Sequence, residues 1–191
     1  MTQPLTRTET APVQRVFEHK RIWNLDQEAF QTAAALIAAH EPRPDAVIGI
    51  ARGGVPLARE LATHFGVEAI EITARHNTTD DLYLEATGRV QLPTTTADAL
   101  GRLASGQRLL VADDICGTGA TLTTVLPFLT DRLAPEQLRS AVLCRSRAAD
   151  FTPDTWVWDT LDWVLFPWNE PTDQHTEDLA APAAVRTKDS L

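Results

Sequence analysis

The sequence predicts an α/β fold in which a parallel sheet is flanked by helices. Short apolar runs rich in β-branched residues, such as 45–50 and 108–113, alternate with longer stretches of helical periodicity. This alternation indicates right-handed crossovers and a sheet covered on both faces. Glycine-rich turns directly follow two of the predicted strands, at 51–54 and 117–119. Because ligands of such sheets bind at the carboxyl ends of the strands, we expect both turns on one rim of the sheet.

The first half of the chain supplies two helices and two strands. Residues 24–40 have the pattern of an amphipathic helix, with Asn24 as its cap and Gln27 completing a capping box. The other predicted elements of this half are a strand at 45–50, a helix at 55–65 that begins near Pro56 and ends at Gly66, and a strand at 67–72. Residues 74–93 are polar with weak periodicity, and a loop or hairpin of this length is typical of a functional lid.

The second half continues the alternation. Its predicted elements are a short helix within 96–106, a strand at 108–113, a helix at 120–133, a strand at 138–144 and a strand within 162–168. Pro127 lies in the interior of the helix predicted at 120–133, where it removes a backbone hydrogen bond, so we expect a kink. Residues 1–14 and the polar, Ala- and Pro-rich stretch after Glu170 indicate a loose arm and a flexible tail.

Composition and charge limit the function classes. The formal net charge is −9, which argues against a general nucleic-acid-binding surface but not against a local pocket for a small anion. Cys116 and Cys144 are too few for a disulfide framework and favour a reducing compartment. No apolar stretch approaches the roughly 20 residues of a membrane helix, and the N-terminal residues lack the apolar segment of a signal peptide. We therefore expect a cytoplasmic protein without a membrane partner.

The stretch RLLVADDICGTGATL, residues 108–122, combines an acid pair with a glycine-rich turn. Gly117 and Gly119 allow the backbone to approach a ligand closely, and successive N–H groups at the start of a helix form an anion site. The hydroxyls of Thr118 and Thr121 add two donors, so the turn suits a phosphate monoester. It is not a Walker A loop, because no lysine follows at the required spacing.

Asp113 and Asp114 would repel a phosphate unless they have another partner. The vicinal hydroxyls of a sugar are one such partner, and a magnesium ion held partly by the ligand is another. A ribose 5-phosphate satisfies both halves of the stretch, with its phosphate in the turn and its 2- and 3-hydroxyls on the acids. The alternative is a strand that simply ends in acids before a capped helix.

The earlier turn, ARGG at 51–54, offers a cation and closely spaced backbone donors. Arg52 and these N–H groups suit a pyrophosphate, which needs several donors and a positive charge. Turns of this kind can hold a cis non-proline peptide bond. The alternative is an ordinary connection between strand and helix with a solvent-facing arginine.

Three stretches together resemble the type I phosphoribosyltransferases, close to the xanthine/guanine/hypoxanthine type: VIGIARGGVPLARELATHFG, RLLVADDICGTGATL and WVLFPWNE. The likeness runs from about Trp23 to Glu170, and its most specific part is similar to the family's motif for 5-phosphoribosyl-1-pyrophosphate (PRPP). The resemblance implies a parallel α/β core, a small hood from the chain ends, a flexible lid at 74–90, Mg²⁺, and PRPP as donor. The implied organisation is an arm (1–22), a phosphoribosyltransferase core (23–150), a hood and acceptor-pocket segment (151–172) and a flexible tail (173–191).

The resemblance assigns roles to residues at matching positions. The predicted catalytic set is Asp113, Asp114 and Arg52, with the two acids also holding Mg²⁺. The predicted PRPP-binding residues are Ala51, Arg52, Gly53, Asp113, Asp114, Ile115, Cys116, Gly117, Thr118, Gly119, Ala120 and Thr121. The predicted lid residues are Arg75, His76 and Tyr83. The predicted acceptor-binding residues are Arg145, Trp163 and Val164, with the indole of Trp163 stacking on a flat acceptor.

Gly117 departs from the resembled pattern, in which most purine-type members have an aspartate that helps to move a proton of the base. Three interpretations stay open. An acid of the lid, such as Asp81 or Glu85, supplies the base; the acceptor is a nucleophile that needs none; or the protein binds a nucleotide or PRPP without turning it over. Arg145 also departs, because related enzymes have a lysine there, and the two side chains differ in donor geometry.

The resemblance therefore implies an Mg²⁺-dependent transferase that moves a phosphoribosyl group from PRPP to a purine-like acceptor and releases pyrophosphate, as in purine salvage. Its partners would be these small molecules and, as is common in the family, a second copy of the chain in a homodimer. One alternative is a phosphoribosyltransferase for a non-purine specialised metabolite. The other is a non-catalytic protein of the same fold that senses PRPP or a nucleotide.

Overall fold

The computed structural model describes residues 21–74, 90 and 92–190 of the chain. Within these residues the strands are β1 (Ile22–Asn24), β2 (Ala46–Ala51), β3 (Glu68–Thr73), β4 (Arg108–Cys116), β5 (Gln137–Ser146), β6 (Thr155–Trp156), β7 (Trp158–Thr160), β8 (Trp163–Leu165), β9 (Glu177–Asp178) and β10 (Arg186–Thr187). The helices are α1 (Gln27–His40), α2 (Gly54–Phe65), α3 (Thr94–Ala99) and α4 (Ala120–Leu133), and 3₁₀ turns cover Leu100–Arg102 and Lys188–Ser190. None of the helices in this part of the chain has the length and apolar character that crossing a membrane requires.

The larger sheet has the strand order β10-β6-β5-β4-β2-β3, and β7 also pairs with β5. Among the described pairings of this sheet, only that of β10 with β6 is antiparallel. Helix α2 joins the parallel neighbours β2 and β3, and α4 joins β4 and β5. The predicted parallel α/β architecture is therefore confirmed.

The smaller sheet brings the two ends of the described chain together. β1 lies between β8 and β9 and pairs in parallel with both. The register places Ile22 opposite Trp163 and Asn24 opposite Leu165. This sheet corresponds to the small hood expected from the chain ends, and it fixes the backbone of the strand that carries Trp163.

Alternate side chains of the central strands contribute to two cores on opposite faces of the larger sheet. Val47 and Leu110 pack with α1 and α2 in one core, which extends to Phe166 after the hood strand. Ile48 and Val111 pack with α4 in the other core. Strands that are covered on both faces carry apolar residues at successive positions, which explains the continuous apolar runs in the sequence.

The start of α1 differs from the prediction. Its cap is Asp26, whose Oδ1 accepts a hydrogen bond from the Ala29 N–H at 2.7 Å. Asn24 is instead the last residue of β1, and its side-chain amide donates to Asp178 at 2.9 Å. The predicted cap was wrong because pairing within the hood, which joins residues remote in sequence, takes Asn24 out of reach of the helix.

The other predicted helices and strands are confirmed, with changes at their ends. α2 ends at Gly66, which has a φ of 64°, as expected for a glycine cap. β4 continues to Cys116, beyond its predicted end at Asp113, because its last residues pair with β5. α4 runs through Pro127, and the kink there stays a prediction.

Two short strands lie in the segment predicted as a flexible tail, 173–191. β9 pairs with β1, and β10 pairs with β6. Lys188 forms an ion pair with Asp154, and the Trp158 indole N–H donates to the Ala180 carbonyl at 2.9 Å. These contacts use backbone groups and single charges, so they leave no hydrophobic periodicity by which a polar sequence would reveal them.

A buried ion-pair network ties the end of α1 to the first half of β5. Glu41 has a side chain only 1% exposed, and it accepts hydrogen bonds from Arg139 at 2.5 and 3.0 Å. The Thr155 hydroxyl also donates to this carboxylate. Arg139 lies 3.7 Å from Asp154, which accepts from the Ser140 N–H at 2.8 Å. The network supplies the partners that a buried carboxylate requires.

We expect Arg139→Met to lower the free energy of unfolding by about 3–5 kcal/mol, because it leaves the Glu41 carboxylate buried without its countercharge. Arg59→Met is the matched control. The Arg59–Glu71 pair has side chains 72% and 55% exposed, and surface pairs of this kind contribute about 0–1 kcal/mol. Urea denaturation of both variants at neutral pH measures the difference, and equal effects would contradict the role of the buried network.

Candidate active site

The two glycine-rich turns follow β2 and β4, which are parallel neighbours in the sheet, and the ARGG turn lies against residues 112–114 of β4. A side-chain carbon added at Gly54 would lie 2.3 Å from the Ala112 carbonyl oxygen, so the first turn passes directly against the end of β4. A carbon added at Gly53 would lie 2.0 Å from a carboxylate oxygen of Asp114. The neighbours of Gly54 are backbone atoms, so only glycine fits there, whereas a side chain at Gly53 would displace the Asp114 carboxylate.

The two acids of the pair have different environments. Asp113 is 9% exposed, and its Oδ1 accepts a hydrogen bond from the Asp114 N–H at 3.0 Å. Burial and, second, the neighbouring charge of Asp114 hold the pKa of the Asp113 carboxyl well above its ordinary value. Asp114 is half-buried. It is therefore the more accessible acid, and Asp113 supports it through its backbone.

The turn after β4 has the backbone of a helix start. Gly119 directly precedes α4 and has a φ of 91°, a conformation that favours glycine. Thr118 is 6% exposed, and its hydroxyl accepts a hydrogen bond from the Ala120 N–H at 3.2 Å. Thr121 lies in the first turn of the 14-residue helix and is half-buried. The first N–H groups of such a helix attract an anion, as the sequence predicts for this turn.

A segment that follows β5 packs against this turn and was missed from the sequence. The Asp150 N–H donates to the Thr118 carbonyl at 3.2 Å, and the Cys116 thiol donates to the Phe151 carbonyl at 3.6 Å. A carbon added at Gly119 would lie 2.4 Å from Cβ of Phe151. The contact uses main-chain groups and the lack of a side chain at Gly119, so no motif around Phe151 could signal it.

The cysteine at the end of β4 is not equipped to act as a nucleophile. Cys116 is 2% exposed, and burial, followed by the charge of Asp113, raises the pKa of its thiol to about 12. Such a thiol is protonated at neutral pH, whereas the thiolate is the reactive form. The chemistry available at this turn therefore comes from the acids, the hydroxyls and the backbone.

The ARGG turn brings an arginine to the same edge of the sheet. Arg52 is exposed, and its peptide bond with Ala51 is cis. Its carbonyl accepts a hydrogen bond from the Val55 N–H at 3.3 Å, which joins the turn to α2. The cation predicted to meet a pyrophosphate thus lies on the turn that touches Asp114.

The predicted acceptor residues lie on two different elements. Trp163 and Val164 belong to β8 of the hood, where Trp163 is half-buried and Val164 is 3% exposed. Arg145 belongs to β5 of the larger sheet and lies opposite Cys116 of β4 in the register. It is therefore next to the turn that contains Gly117, whereas the tryptophan is carried by the other sheet.

The Arg145 guanidinium is held by protein groups. Its Nη2 donates to the Thr152 hydroxyl at 3.1 Å, and its central carbon lies 5.1 Å from the centre of the Trp156 ring. Its Nη1 lies 3.8 Å from Asp159, and the arginine side chain is 13% exposed. The sequence predicts that this residue contacts the acceptor; the structure shows contacts that fix its position.

The predicted lid residues cannot be placed in this site. Arg75, His76 and Tyr83 lie outside the described residues, as do Asp81 and Glu85, which the sequence offered as alternative bases. Gly117 is described and half-buried. The assignment of a proton acceptor for the incoming base therefore stays a prediction.

Among the described residues of the predicted site, the acid pair is the part that suits a metal ion. Within residues 21–74, 90 and 92–190, no group of three or more His, Cys, Asp or Glu side chains is arranged to hold one. Mg²⁺, however, is commonly held by one or two carboxylates, with substrate phosphates and water completing its shell. Asp113 and Asp114 are compatible with an open site of that kind.

The fold and the two turns define a phosphoribosyltransferase-type protein. The chain matches the phosphoribosyl transferase domain over residues 24–175, and it belongs to that family. The predicted likeness to purine-type members is confirmed, at the level of fold, by solved structures. A purine phosphoribosyltransferase from Pyrococcus horikoshii aligns with a TM-score of 0.64 and 23% identity, covering 81% of this chain and 99% of that chain.

Two further solved structures share the fold. The xanthine-guanine-hypoxanthine phosphoribosyltransferase of Helicobacter pylori has a TM-score of 0.62 and 21% identity, covering 78% of this chain and 93% of its own. A hypothetical protein from Neisseria gonorrhoeae with bound ppGpp has a TM-score of 0.61 and 19% identity, and the alignment covers 80% of this chain and 92% of that chain. At these identities the likeness is one of fold.

Curated relatives have a different kind of name. The transcriptional regulator GfcR of Methanoculleus marisnigri is 32% identical over 94 residues, which is 49% of this chain and 41% of the relative. The GfcR of Methanocella arvoryzae is 32% identical over 107 residues, which is 56% of this chain and 48% of the relative. The chain thus spans less than half the length of these relatives.

We expect Asp113→Asn to raise the free energy of unfolding of the metal-free protein at neutral pH. In the unfolded state the carboxyl ionises near its ordinary pKa of 3.8, whereas the folded state holds its pKa higher. Below its unfolded pKa, Asp113 does not reduce the stability of the folded protein. As the pH rises from the unfolded pKa toward the folded pKa, the free energy of unfolding falls. Asparagine removes this loss and still accepts the Asp114 N–H.

The measurement is urea denaturation of both proteins from acid to neutral pH, in the presence of a chelator. The stability gain of the variant should be small at acid pH and grow as the pH rises. A gain that is independent of pH would contradict the raised pKa of Asp113.

Proposed function

We propose that this protein transfers the 5-phosphoribosyl group of PRPP to a purine-like, planar nitrogenous acceptor and releases pyrophosphate. In this proposal the turn 118–121 holds the 5-phosphate, and Asp113 and Asp114 hold the ribose hydroxyls. Arg52 and the backbone of Gly53 hold the pyrophosphate. Family membership and the geometry of the rim support this assignment.

The contact between Gly53 and Asp114 is the observation that carries the proposal. PRPP bears a phosphate and a pyrophosphate at the two ends of a ribose, with the hydroxyls between them. The rim offers a helix start, an acid pair and an arginine-bearing turn side by side, which is the arrangement that such a ligand needs.

The chemistry follows from this placement. The bond between the anomeric carbon and the pyrophosphate oxygen breaks as a nitrogen of the acceptor bonds to that carbon, and the acceptor loses a proton. Positive charge develops on the ribose, where Asp114 lies, and negative charge develops on the leaving pyrophosphate, where Arg52 lies. Charges placed in advance where the transition state needs them lower the barrier.

Mg²⁺ suits the acid pair as an open site completed by the substrate. Asp114 is the accessible acid and would hold the ion or the hydroxyls that bind it, with Asp113 supporting its backbone. When bound, the ion supplies positive charge to the pyrophosphate. Two acids beside a doubly anionic ligand are otherwise unfavourable, which supports a cation as cofactor.

The acceptor half of the proposal rests on Trp163 and Val164. An indole face suits a flat heterocycle, and Trp163 is half-buried on β8. Gly117 contributes no side chain toward the base, so any proton acceptor comes from elsewhere or the acceptor needs none. A non-purine metabolite with a more reactive nitrogen is the enzyme alternative that this glycine favours.

A second candidate is a non-catalytic protein that binds PRPP or a nucleotide. Gly117 lacks the carboxylate expected for proton transfer, and the matched curated relatives are named transcriptional regulators. The Neisseria protein of the same fold, named with bound ppGpp, makes a phosphorylated nucleotide a reasonable ligand class. This candidate uses the same phosphate turn and differs only in the absence of turnover.

We also infer the setting of the reaction. Cys116 and Cys144 are both buried and are not disulfide-bonded, which is compatible with the reducing cytoplasm. A net charge of −9 argues against a nucleic-acid partner for this chain by itself. A homodimer, common among related transferases, is the proposed assembly, and purine salvage is the proposed role.

We expect pyrophosphate release when the protein is incubated with PRPP, Mg²⁺ and guanine, xanthine or hypoxanthine. The measurement is a coupled pyrophosphate assay over a panel that includes non-purine amines. PRPP binding by calorimetry without release for any acceptor would contradict the enzyme and favour the sensor. Release with a non-purine acceptor alone would favour the specialised transferase.

We expect Gly53→Ala to weaken PRPP binding by at least about tenfold, because the new methyl group displaces the Asp114 carboxylate and the loss of a charged contact is worth about 1.5–3 kcal/mol. Gly101→Ala is the matched control, since a carbon added at Gly101 meets nothing within 4 Å. Calorimetric titration with PRPP measures both, and thermal unfolding checks that both remain folded. Unchanged PRPP affinity in Gly53→Ala would disprove the donor site.

A further inference from the structure

Arg145, Asp159 and Arg186 form a chain of charges that runs from the site to the C-terminal segment. The register of β5 and β7 places Arg145 opposite Asp159, and Nη1 of the arginine lies 3.8 Å from Oδ1 of the aspartate. The other carboxylate oxygen of Asp159 lies 3.4 Å from Nη1 of Arg186 in β10. The Trp156 indole N–H also donates to Asp159 Oδ1 at 2.9 Å. One carboxylate is thus shared by two arginines and an indole.

The Arg145 guanidinium is fixed in orientation by these groups. It stacks over the same Trp156 ring and donates to the Thr152 hydroxyl. The side chains of Arg145 and Asp159 are 13% and 15% exposed, so solvent screens their attraction little. Nε of Arg145 is buried and has no hydrogen-bond partner among the described residues. An unmet donor of this kind persists only where the surroundings determine the side-chain position.

We propose that Asp159 is a positioning residue for the acceptor half of the site, and that Arg186 regulates its hold on Arg145. The inference rests on the proposed function. Arg145 lies opposite Cys116, directly before Gly117, so its orientation shapes the side of the site where the base lies. The acid pair and the phosphate turn are fixed by separate contacts, those of Gly53 with Asp114 and of Phe151 with Gly119.

The two charges that flank Asp159 differ in exposure, which ranks their effects. Arg186 is 58% exposed, so its loss removes a contact that water largely replaces. Loss of the Asp159 charge instead leaves the nearly buried Arg145 without its carboxylate, beside a second arginine. An unpaired buried charge is far more unfavourable than a lost surface pair. Asp159 therefore has the larger effect on the position of the Arg145 guanidinium, and Arg186 has the smaller one.

Calorimetry with two ligands separates the halves of the site. Ribose 5-phosphate needs only the phosphate turn and the acids, whereas GMP, IMP and XMP also occupy the acceptor half. For the nucleotide that binds most tightly, we expect Asp159→Asn to lower the affinity about tenfold and Arg186→Gln to lower it about two- to fivefold. The affinity for ribose 5-phosphate should stay within about twofold for both variants, because neither residue touches the groups that bind it. Arg186→Lys keeps the charge and should restore nucleotide affinity.

Lys188→Gln is the matched control within the same segment. Lys188 is 49% exposed and pairs with Asp154 rather than Asp159. An equal loss of nucleotide affinity in Lys188→Gln would show that general anchoring of the segment matters, which would overturn the role of Arg186. If Asp159→Asn lowered the affinities for ribose 5-phosphate and for the nucleotide equally, the role of Asp159 would be purely structural, and the positioning claim would be overturned.

The outcomes for the unchanged protein keep the two proposals apart. If it fails to bind ribose 5-phosphate, the donor site and hence the proposed function are refuted. If it binds GMP, IMP and XMP no more tightly than ribose 5-phosphate, the donor site stands and the positioning role of Asp159 is refuted. Circular dichroism of each variant confirms that differences arise in folded protein.

Discussion

The approach of the Asp114 carboxylate to the backbone of Gly53 is the constraint on which the site depends. It depends on β2 and β4 being adjacent and parallel, and on glycine at position 53, where a side-chain carbon would lie 2.0 Å from a carboxylate oxygen and displace it. It also places a negative charge beside the turn that is proposed to bind the pyrophosphate. That conflict is resolved only if a cation or hydroxyl groups lie between the acid and the anion, and the ribose and Mg²⁺ of the proposed complex supply both.

The two halves of the site are built in different ways. The proposed donor half comes from two adjacent strands and the turns that follow them, so its geometry is set by sheet register. The proposed acceptor half combines β5 with β8 of a separate sheet, and Arg145 in it is supported by an ion-pair chain and by the Trp156 ring. A fold organised like this can change the proposed acceptor side through a few charges and aromatic rings while the rim proposed to bind phosphate stays the same.

This division explains what could be predicted from the sequence. The acid pair, the phosphate turn and the ARGG turn are local motifs, and the strand runs before them are apolar because both faces are covered. Phe151 and Asp159 gave no signal, because each acts through a partner remote in sequence. The same reason explains the wrong cap at Asn24: a strand pairing with Leu165 outweighed a local capping pattern. The contacts of the polar C-terminal segment depend on single charges, which composition does not reveal.

Gly117 and the contacts of Arg145 bear on the same question, how the site treats whatever lies next to the ribose. A catalytic aspartate at this position would place a second charge close to Arg145, which would then have two carboxylates to satisfy. With glycine there, Arg145 pairs with Asp159, and its guanidinium also contacts Trp156 and Thr152. The glycine at position 117 and the pairing of Arg145 with Asp159 are thus consistent with each other. The proposed acceptor side thus has one carboxylate between two arginines, whereas the proposed donor side has two adjacent carboxylates.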